Sequence, residues 1–215
     1  MSRTRWPVSA LPVAAALSLG APGFATAQIS IAPTIGVYIP TTDLLNAASG
    51  QQYKQEVSIT LGGRVGINVG QRAGIEGTVA YAPSKLKFSA SGSSTTTDAN
   101  ILTGSGRAFL ELIPRTSAVS LQLNGGVGLV RRSGTAYQGD PKSTDLGGVV
   151  GATLRVRLGR VLHVELHAED FVYNAQYAPN ASGGGYAVVN KQLNDIHLGV
   201  GLGIPLLGLG GDSSR

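Results

Sequence analysis

Apolar and polar residues alternate with a period of two along most of the chain after Gln28. In residues 29–39, Ile and Val occupy most odd positions, whereas the even positions are mainly small or polar. Successive side chains of a strand point to opposite faces, so this pattern predicts a β-strand with one apolar face. Seven more segments alternate in the same way: residues 57–69, 73–82, 102–112, 119–129, 146–158, 162–173 and 195–206.

The connections between these segments alternate between short and long. Short turns are expected at 69–72, 114–117 and 158–161, and long loops rich in Gly, Ser, Thr and Asn at 40–55, 83–100, 132–144 and 174–192. This rhythm is typical of outer-membrane barrels, whose short turns are periplasmic and whose long loops face outward. The sequence therefore predicts an all-β fold: a closed antiparallel eight-stranded transmembrane β-barrel, built as an up-and-down meander.

The two faces of the predicted strands differ in charge. The polar face carries both signs of charge and many glycines, whereas the apolar face has Asp170 as its one charged side chain, close to the outer rim. An unpaired Arg or Lys facing lipid at the membrane midplane costs roughly 2 to 4 kcal/mol. A soluble barrel such as a lipocalin would hide its aliphatic face and expose charges, but only 13% of this chain is charged. We therefore expect the apolar face to contact lipid and the polar face to line the lumen.

Hairpin geometry predicts which lumen side chains meet. A register in which paired residue numbers sum to 140 places Arg64 opposite Glu76, and a sum of 320 places Arg155 opposite Glu165 and Arg157 opposite His163. Sums two units away keep the same face, so the shared face is firmer than the individual partners. The predicted lumen charge network comprises Arg64, Glu76, Arg107, Glu111, Arg155, Arg157, His163, Glu165, His167, Glu169, Asp195 and His197. It would close most of an eight-stranded bore, where side chains just fill the interior.

The N-terminus has the three regions of a secretory signal. Arg3 and Arg5 are basic, residues 11–19 are apolar, and small residues end at Ala27. The apolar run is shorter than the roughly 20 residues of a spanning helix, which argues against a membrane anchor. We expect a signal peptide at 1–27 that directs export through the Sec pathway, a barrel at 28–207 and a flexible Gly-rich tail at 208–215.

Residues 28–207 resemble the small eight-stranded outer-membrane barrels of the OmpA and OmpX type, in pattern and without a family-specific motif. The resemblance implies a bacterial outer-membrane location, biogenesis through the outer-membrane assembly machinery, and a structural, adhesive or stress-resistance role. Two features depart from the family. Leu206 and Leu207 stand where a terminal aromatic residue is common, and the peptidoglycan-binding domain of the OmpA type is missing, so wall anchoring is not implied.

Basic residues in or beside the predicted outward loops are candidates for contact with lipopolysaccharide phosphates: Lys54, Lys85, Lys87, Arg131, Arg132, Lys142 and Lys191. Loop solubility is the alternative explanation. Basic residues are otherwise dispersed, which argues against nucleic-acid binding.

Each short turn also carries an arginine placed to meet anionic head groups: Arg72, Arg115 and Arg160. Aromatic residues cluster toward the outer rim: Tyr38, Tyr81, Phe171, Tyr173 and Tyr177.

Other chemistry has weaker support in the sequence. His163, Glu165 and His167 share a strand face at metal-ligand spacing, but such residues among arginines and glutamates are more simply members of a charge network. The Gly104-Ser105-Gly106 segment lacks the context of a phosphate-binding loop. We expect no cofactor, no metal and no catalysis. The predicted protein is a non-enzymatic surface barrel with a sealed lumen; a barrel enzyme acting on lipid A, or a narrow small-solute channel, is the alternative.

The first and last strands each contain a proline, Pro33 and Pro205. Proline has no backbone N–H to donate to a strand ladder. The sequence therefore predicts that the lower part of the closing seam is the weakest ladder of the barrel. The alternative is that both prolines lie on the non-bonding side of their strands.

Overall fold

The computed structural model describes residues 28–46, 52–69, 72–90, 92–115, 117–138, 143–159, 162–177 and 189–206. The expected signal peptide at 1–27, the tail at 208–215, Lys142 and Arg160 lie outside these ranges. The strands are β1 (Gln28–Pro40), β2 (Leu45–Asn46), β3 (Gln52–Gln55), β4 (Ser58–Val69), β5 (Ala73–Ala82), β6 (Lys85–Ala90), β7 (Ser93–Asp98), β8 (Asn100–Ile113), β9 (Val119–Ser133), β10 (Thr144–Leu158), β11 (Leu162–Tyr177) and β12 (Val189–Leu206). A short 3-10 helix spans Thr135–Tyr137.

Eight strands form one closed antiparallel barrel in the order β1-β12-β11-β10-β9-β8-β5-β4. Each of the eight segments with a period of two is one of these strands, so the predicted fold class is confirmed. Among the described residues, no helix is long and apolar enough to cross a membrane. We call the side of the short β4–β5, β8–β9 and β10–β11 connections the turn end, and the opposite side the loop end.

The alternation of apolar and polar residues along the strands gives the barrel an apolar exterior and a polar interior. Aliphatic side chains such as Val127, Ile59 and Val150 are 70%, 61% and 59% exposed on the outside. Inside, Arg107 and Glu165 are 3% and 1% exposed. A soluble monomer rarely shows an apolar surface of this extent, whereas lipid stabilises it. The barrel is therefore built to span a membrane.

Glycines on the lumen face make room for large side chains on the neighbouring strand. Gly203 and Gly199 of β12 lie opposite His163 and His167 of β11. A Cβ atom added to either glycine would collide with the imidazole that lies over it. At these positions the absence of a side chain on one strand thus makes room for an imidazole on the next.

The predicted register is right for one hairpin and wrong for another. In β10–β11, Arg155 pairs with Glu165 and Arg157 with His163, as the sum of 320 predicts. In β4–β5, the backbone of Arg64 pairs with Thr78 instead of Glu76, although the side chains of Arg64 and Glu76 still form an ion pair at 3.7 Å. This ladder begins at Val69–Ala73, so its centre is one residue later than Gly70, which raises every sum from 140 to 142.

The closing seam is interrupted at its proline. The β1–β12 pairs end at Ile31–Ile204 and resume at Thr34–Gly201, so neither Ala32 nor Pro33 has a registered partner on β12. Both residues remain paired with β4 on the other side. Pro205, by contrast, stays in register with Ser30. Pro33 thus accounts for a local gap in this ladder, whereas the β10–β11 ladder is continuous from Gly147–Tyr173 to Leu158–Leu162.

Two of the expected long loops contain a second sheet at the loop end. Strands β2, β3, β6 and β7 pair in the order β2-β3-β6-β7, within the segments 40–55 and 83–100 that the sequence predicts as loops. We call this four-stranded unit the outer sheet. The sequence pattern missed it because β7 reads SSTTTD, which contains no apolar residue to alternate. The barrel strands also run past the membrane at this end, since β11 and β12 have 16 and 18 residues and crossing takes about 9 to 11.

Candidate functional site: the charged lumen and the outer sheet

The middle of the lumen is spanned by two arginines and two glutamates. Arg64 of β4 binds Glu169 of β11, with Nη2 and Oε1 2.6 Å apart, and also donates to the Thr153 hydroxyl at 2.8 Å. Arg107 of β8 binds Glu76 at 3.0 Å and Glu169 at 2.8 Å. Gln122 donates to the other oxygen of Glu76 at 3.0 Å. Each carboxylate is therefore held by a guanidinium group from another strand.

A second group lies nearer the turn end. Glu111 Oε1 accepts from Arg155 Nη1 at 2.7 Å and from Arg115 Nε at 2.6 Å. Glu165 Oε1 accepts from Arg155 Nε at 2.6 Å and lies 2.9 Å from His163 Nε2. Arg115 was expected to face membrane head groups from its turn, but it reaches back to Glu111 because that carboxylate is buried and needs a second donor.

The two groups are joined where Arg64 Nη1 lies 3.8 Å from Glu165 Oε2. Together they contain four arginines and four glutamates, so their formal charges cancel: Arg64, Arg107, Arg115 and Arg155 against Glu76, Glu111, Glu165 and Glu169. We call this set the lumen network. Charges buried in a low-dielectric space are stable only when they are paired and hydrogen-bonded, and the network provides this by bridging the bore.

The other sequence-predicted lumen residues occupy different surroundings. Arg157 is exposed at the turn end, and its guanidinium donates to the backbone carbonyl of Arg115. His167 is half-buried over Gly199. Among the described residues, no set of three or more His, Asp or Glu side chains is arranged to hold a metal ion.

Asp195 and His197 belong to an aromatic cluster nearer the loop end. His197 contacts the rings of Tyr38 and Phe171, at centroid distances of 5.4 and 5.1 Å. The Tyr173 hydroxyl donates to Asp195 at 2.6 Å. These three aromatic residues were expected at the outer rim, but they are buried in the lumen because their positions have the parity of the polar face. Tyr81, at the opposite parity, is 43% exposed on the exterior.

Arg132 closes the bore above this cluster. Its guanidinium lies 2.7 Å from the Asp145 carboxylate, and both side chains are almost fully buried. The prediction that Arg132 contacts lipopolysaccharide is therefore wrong, since the strand turns this side chain inward. Tyr137 of the 3-10 helix packs against the same guanidinium and donates to Gln55 of the outer sheet. The space left among these groups is about 10 Å³, room for at most about one water molecule.

The outer sheet has one buried and one charged face. Tyr53 of β3 and Leu86 of β6 are buried toward the barrel. Lys54 and Lys87 occupy the opposite face, directly across from each other in the β3–β6 ladder, and both are exposed. Lys85, two residues before Lys87, is exposed on the same face. Three of the basic residues predicted from the loops thus form one surface, which we call the lysine face.

The remaining loop cations are placed differently. Arg131 is exposed near the end of β9. Lys191 of β12 is half-buried, and its ammonium group donates to the backbone carbonyl of Asp43 at 2.5 Å. Arg131 is therefore accessible from solvent, whereas the hydrogen bond of Lys191 connects β12 to the segment before the outer sheet.

Known proteins resemble the chain in structure but not in sequence. No protein-family model matches it, and a search of curated proteins finds no significant match. Among solved structures, the outer membrane protein OprG from Pseudomonas aeruginosa aligns with a TM-score of 0.66 at 12% identity, over 84% of this chain and 96% of OprG. The chain has the fold of a small outer-membrane β-barrel.

Two further solved structures are more distant. The outer membrane protein AlkL, determined in lipid bilayers, aligns with a TM-score of 0.48 at 13% identity, over 99% of this chain and 100% of AlkL. Neisserial surface protein A aligns with a TM-score of 0.47 at 13% identity, over 83% of this chain and 96% of that chain. The expected resemblance to small outer-membrane barrels is confirmed at the level of fold by OprG.

Proposed function

We propose that this protein is a bacterial outer-membrane barrel that acts as a sealed anchor, and that its outer sheet contacts phosphate groups of lipopolysaccharide. The apolar exterior and the barrel fold support the membrane location. In such barrels the short turns are periplasmic and the long connections face outward, which places the loop end at the cell surface. The lysine face then lies beside the head groups of the outer leaflet.

The lumen favours an anchor over a channel. The lumen network spans the middle of the bore, and the buried pair of Arg132 and Asp145 closes it near the loop end. Passage of a solute would require several buried ion pairs to separate, and each would leave an uncompensated charge. A narrow small-solute channel is therefore the less favoured function.

The observation that carries the proposal is the position of Lys54 directly opposite Lys87. Like charges that face each other across two strands destabilise the pairing. A bound anion removes this penalty, because each ammonium group can donate hydrogen bonds to phosphate oxygens. Lys85 lies about 7 Å from Lys87 on the same face, but its registered partner on β7 is the exposed Asp98, so the unbalanced charge is that of Lys54 and Lys87. Lipopolysaccharide presents phosphate groups at the membrane level where this face is expected.

A lipid-modifying enzyme has less support in the described residues. His163 is engaged with Glu165, and His197 is packed against two aromatic rings. Neither histidine has a serine hydroxyl among its hydrogen-bond partners in the part of the chain that the structure describes. A nucleophile with an adjacent base is the arrangement that acyl-transfer or hydrolytic chemistry would need. We therefore propose a non-enzymatic role.

The test is a titration of lipopolysaccharide into the mature protein folded in phosphocholine micelles. Near a charged membrane surface one lysine contributes about 1 kcal/mol, so K87Q should weaken binding roughly fivefold and K54Q/K87Q roughly thirtyfold. The matched control is R72Q, which removes one exposed charge at the turn end and should change affinity by less than about twofold. Dephosphorylated lipopolysaccharide should bind wild type and K54Q/K87Q alike. Equal losses in K87Q and R72Q would contradict the proposal.

A further inference from the structure

The turn end of the lumen opens into a cavity of about 290 Å³. Its walls come from the first residues of β1, β9 and β11 and the last residues of β10 and β12. A water molecule in the liquid takes up about 30 Å³, so the cavity has room for a compact polyatomic ion with part of its hydration shell. We call it the basic vestibule, and its chemistry differs from that of the neutral lumen network above it.

Three guanidinium groups line the basic vestibule, those of Arg115, Arg155 and Arg157, and His163 lies beside them. None of the described lining residues carries a carboxylate side chain. In the described structure, two acids contact these basic residues. Glu111 accepts from Arg115 and Arg155, and Glu165 is engaged with Arg155 and His163. The vestibule wall therefore presents positive charge to the solvent.

Arg157 carries a positive charge that the glutamates of the lumen network do not balance. The lumen network is neutral without it, and in the described residues Arg157 contacts a backbone carbonyl and no carboxylate. Arg115 offers a second unused donor, since its Nη2 atom is buried without a hydrogen-bond partner in the described structure. A buried donor with no acceptor costs about 1 to 3 kcal/mol. An anion reaches this atom only if the Arg115 side chain turns toward the cavity, so Arg157 is the donor already available to it.

The remaining lining supplies neutral donors suited to an oxyanion. The hydroxyls of Ser30, Ser117 and Ser120 line the same space. Guanidinium groups form planar forks that match the oxygens of phosphate, and hydroxyl donors complete its coordination. Three guanidinium groups, three serines and an unbalanced positive charge in one cavity favour an oxyanion over a cation or an apolar ligand.

We propose that the basic vestibule binds a phosphate group, either as free inorganic phosphate or as the head group of an anionic phospholipid at the turn-end surface of the membrane. This site is at the opposite end of the barrel from the lysine face. It does not depend on the role proposed for the outer sheet.

The test uses the mature protein folded in phosphocholine micelles, with Arg157 as the probe position. In the described residues the Arg157 side chain donates to a single backbone carbonyl, so R157Q should fold normally, which thermal unfolding checks. Inorganic phosphate and dihexanoylphosphatidylglycerol are titrated separately, and binding is followed by amide chemical shifts. Dihexanoylphosphatidylcholine is the zwitterionic control.

The expected result is saturable binding that R157Q weakens about tenfold, as for loss of one charge-assisted hydrogen bond. R157K keeps the charge without the fork and should restore part of the affinity. The matched control R72Q removes an exposed turn arginine that does not line the cavity, and it should leave affinity within about twofold. Saturation by inorganic phosphate assigns the site to the free ion, and saturation by phosphatidylglycerol alone assigns it to the lipid. No saturable binding of either, or equal weakening by R157Q and R72Q, would overturn the proposal.

Discussion

Arg64 and Glu169 are bound to each other across the lumen, 2.6 Å apart, although 105 residues separate them in the sequence. Their strands, β4 and β11, are not neighbours, because β1 and β12 lie between them in the barrel order. The contact therefore crosses the bore instead of running along the wall. Side chains from the barrel wall therefore close the lumen at this level in the described part of the chain.

The first prediction concerns the buried pair of Arg107 and Glu76, which are registered partners on β8 and β5. R107A removes the nearest cation from Glu76, and E76A leaves Arg107 with Glu169 as its remaining carboxylate. Each change unbalances the buried charges and should cost about 3 to 5 kcal/mol of unfolding free energy. The double variant should cost less than the sum of the two. The measurement is urea unfolding in micelles, followed by the gel shift between folded and boiled protein.

Strict additivity in this double-mutant cycle would mean that the two residues do not interact. R131A is the control, because Arg131 is an exposed arginine on the adjacent strand β9. It should alter stability by no more than about 0.5 kcal/mol.

The second prediction uses two glycines with opposite surroundings. G203A places a methyl group against the His163 ring and should lower stability by about 1 to 3 kcal/mol. G148A is the matched change on the lipid face, where nothing lies within 4 Å of the new methyl group. It should stabilise by about 0.5 kcal/mol, because alanine loses less backbone entropy than glycine. Equal effects of the two substitutions in thermal unfolding would show that the imidazole does not pack on Gly203.

Much of the barrel could be predicted from the sequence because successive residues of a strand alternate between the lumen and the exterior. The odd or even position of a residue in its strand therefore determines its face. Arg64, Arg107 and Glu165 all point inward, as the alternation requires. The alternation shows which face a side chain occupies, but not how far that side chain reaches across the bore. The sequence therefore could not show that Arg64 binds Glu169 of β11 in preference to a residue of the adjacent strand β5. It also could not place the centre of the β4–β5 turn, where a one-residue shift changes every partner.

The outer sheet escaped prediction for a different reason. Its strands pair between two separate connections, and β7 is polar throughout, so no local periodicity marks it. The parity of Phe171 and Tyr173 did indicate an inward position. Their aromatic character suggested a membrane girdle, but the strand parity determines their side, and they seal the lumen instead.

The third prediction is that the protein does not conduct ions. In the described part of the lumen, paired charges cross the middle of the bore, and the space among the groups near the loop end is about 10 Å³. In planar lipid bilayers we expect no discrete conductance steps from wild type at neutral pH. Reproducible single-channel openings that depend on added protein would contradict the sealed lumen, and with it the role as an anchor.

The fourth prediction concerns the gap beside Pro33. Residues 31–34 and 201–204 flank the interrupted pairs of the β1–β12 ladder. Apart from Pro33, which has no amide hydrogen, these residues should exchange with solvent deuterium faster than those of the continuous β10–β11 hairpin, because local opening breaks fewer hydrogen bonds there. Hydrogen exchange in micelles, read by NMR, provides the comparison. Uniformly slow exchange across both regions would rule out a weak seam.

The central claim is that the lysine face touches lipopolysaccharide phosphate. The most direct measurement is solid-state NMR of ¹⁵N-lysine-labelled protein in bilayers that contain lipopolysaccharide, with dephasing of the side-chain nitrogens by ³¹P. In an ammonium–phosphate contact, the nitrogen and a phosphate oxygen lie within about 4 Å of each other. The nitrogen is then close enough to the phosphorus for ³¹P to dephase its signal. We predict dephasing of lysine signals in wild type that is largely lost in K54Q/K87Q. Lysine signals that are not dephased in wild type, or dephasing that persists unchanged in K54Q/K87Q, would contradict the account.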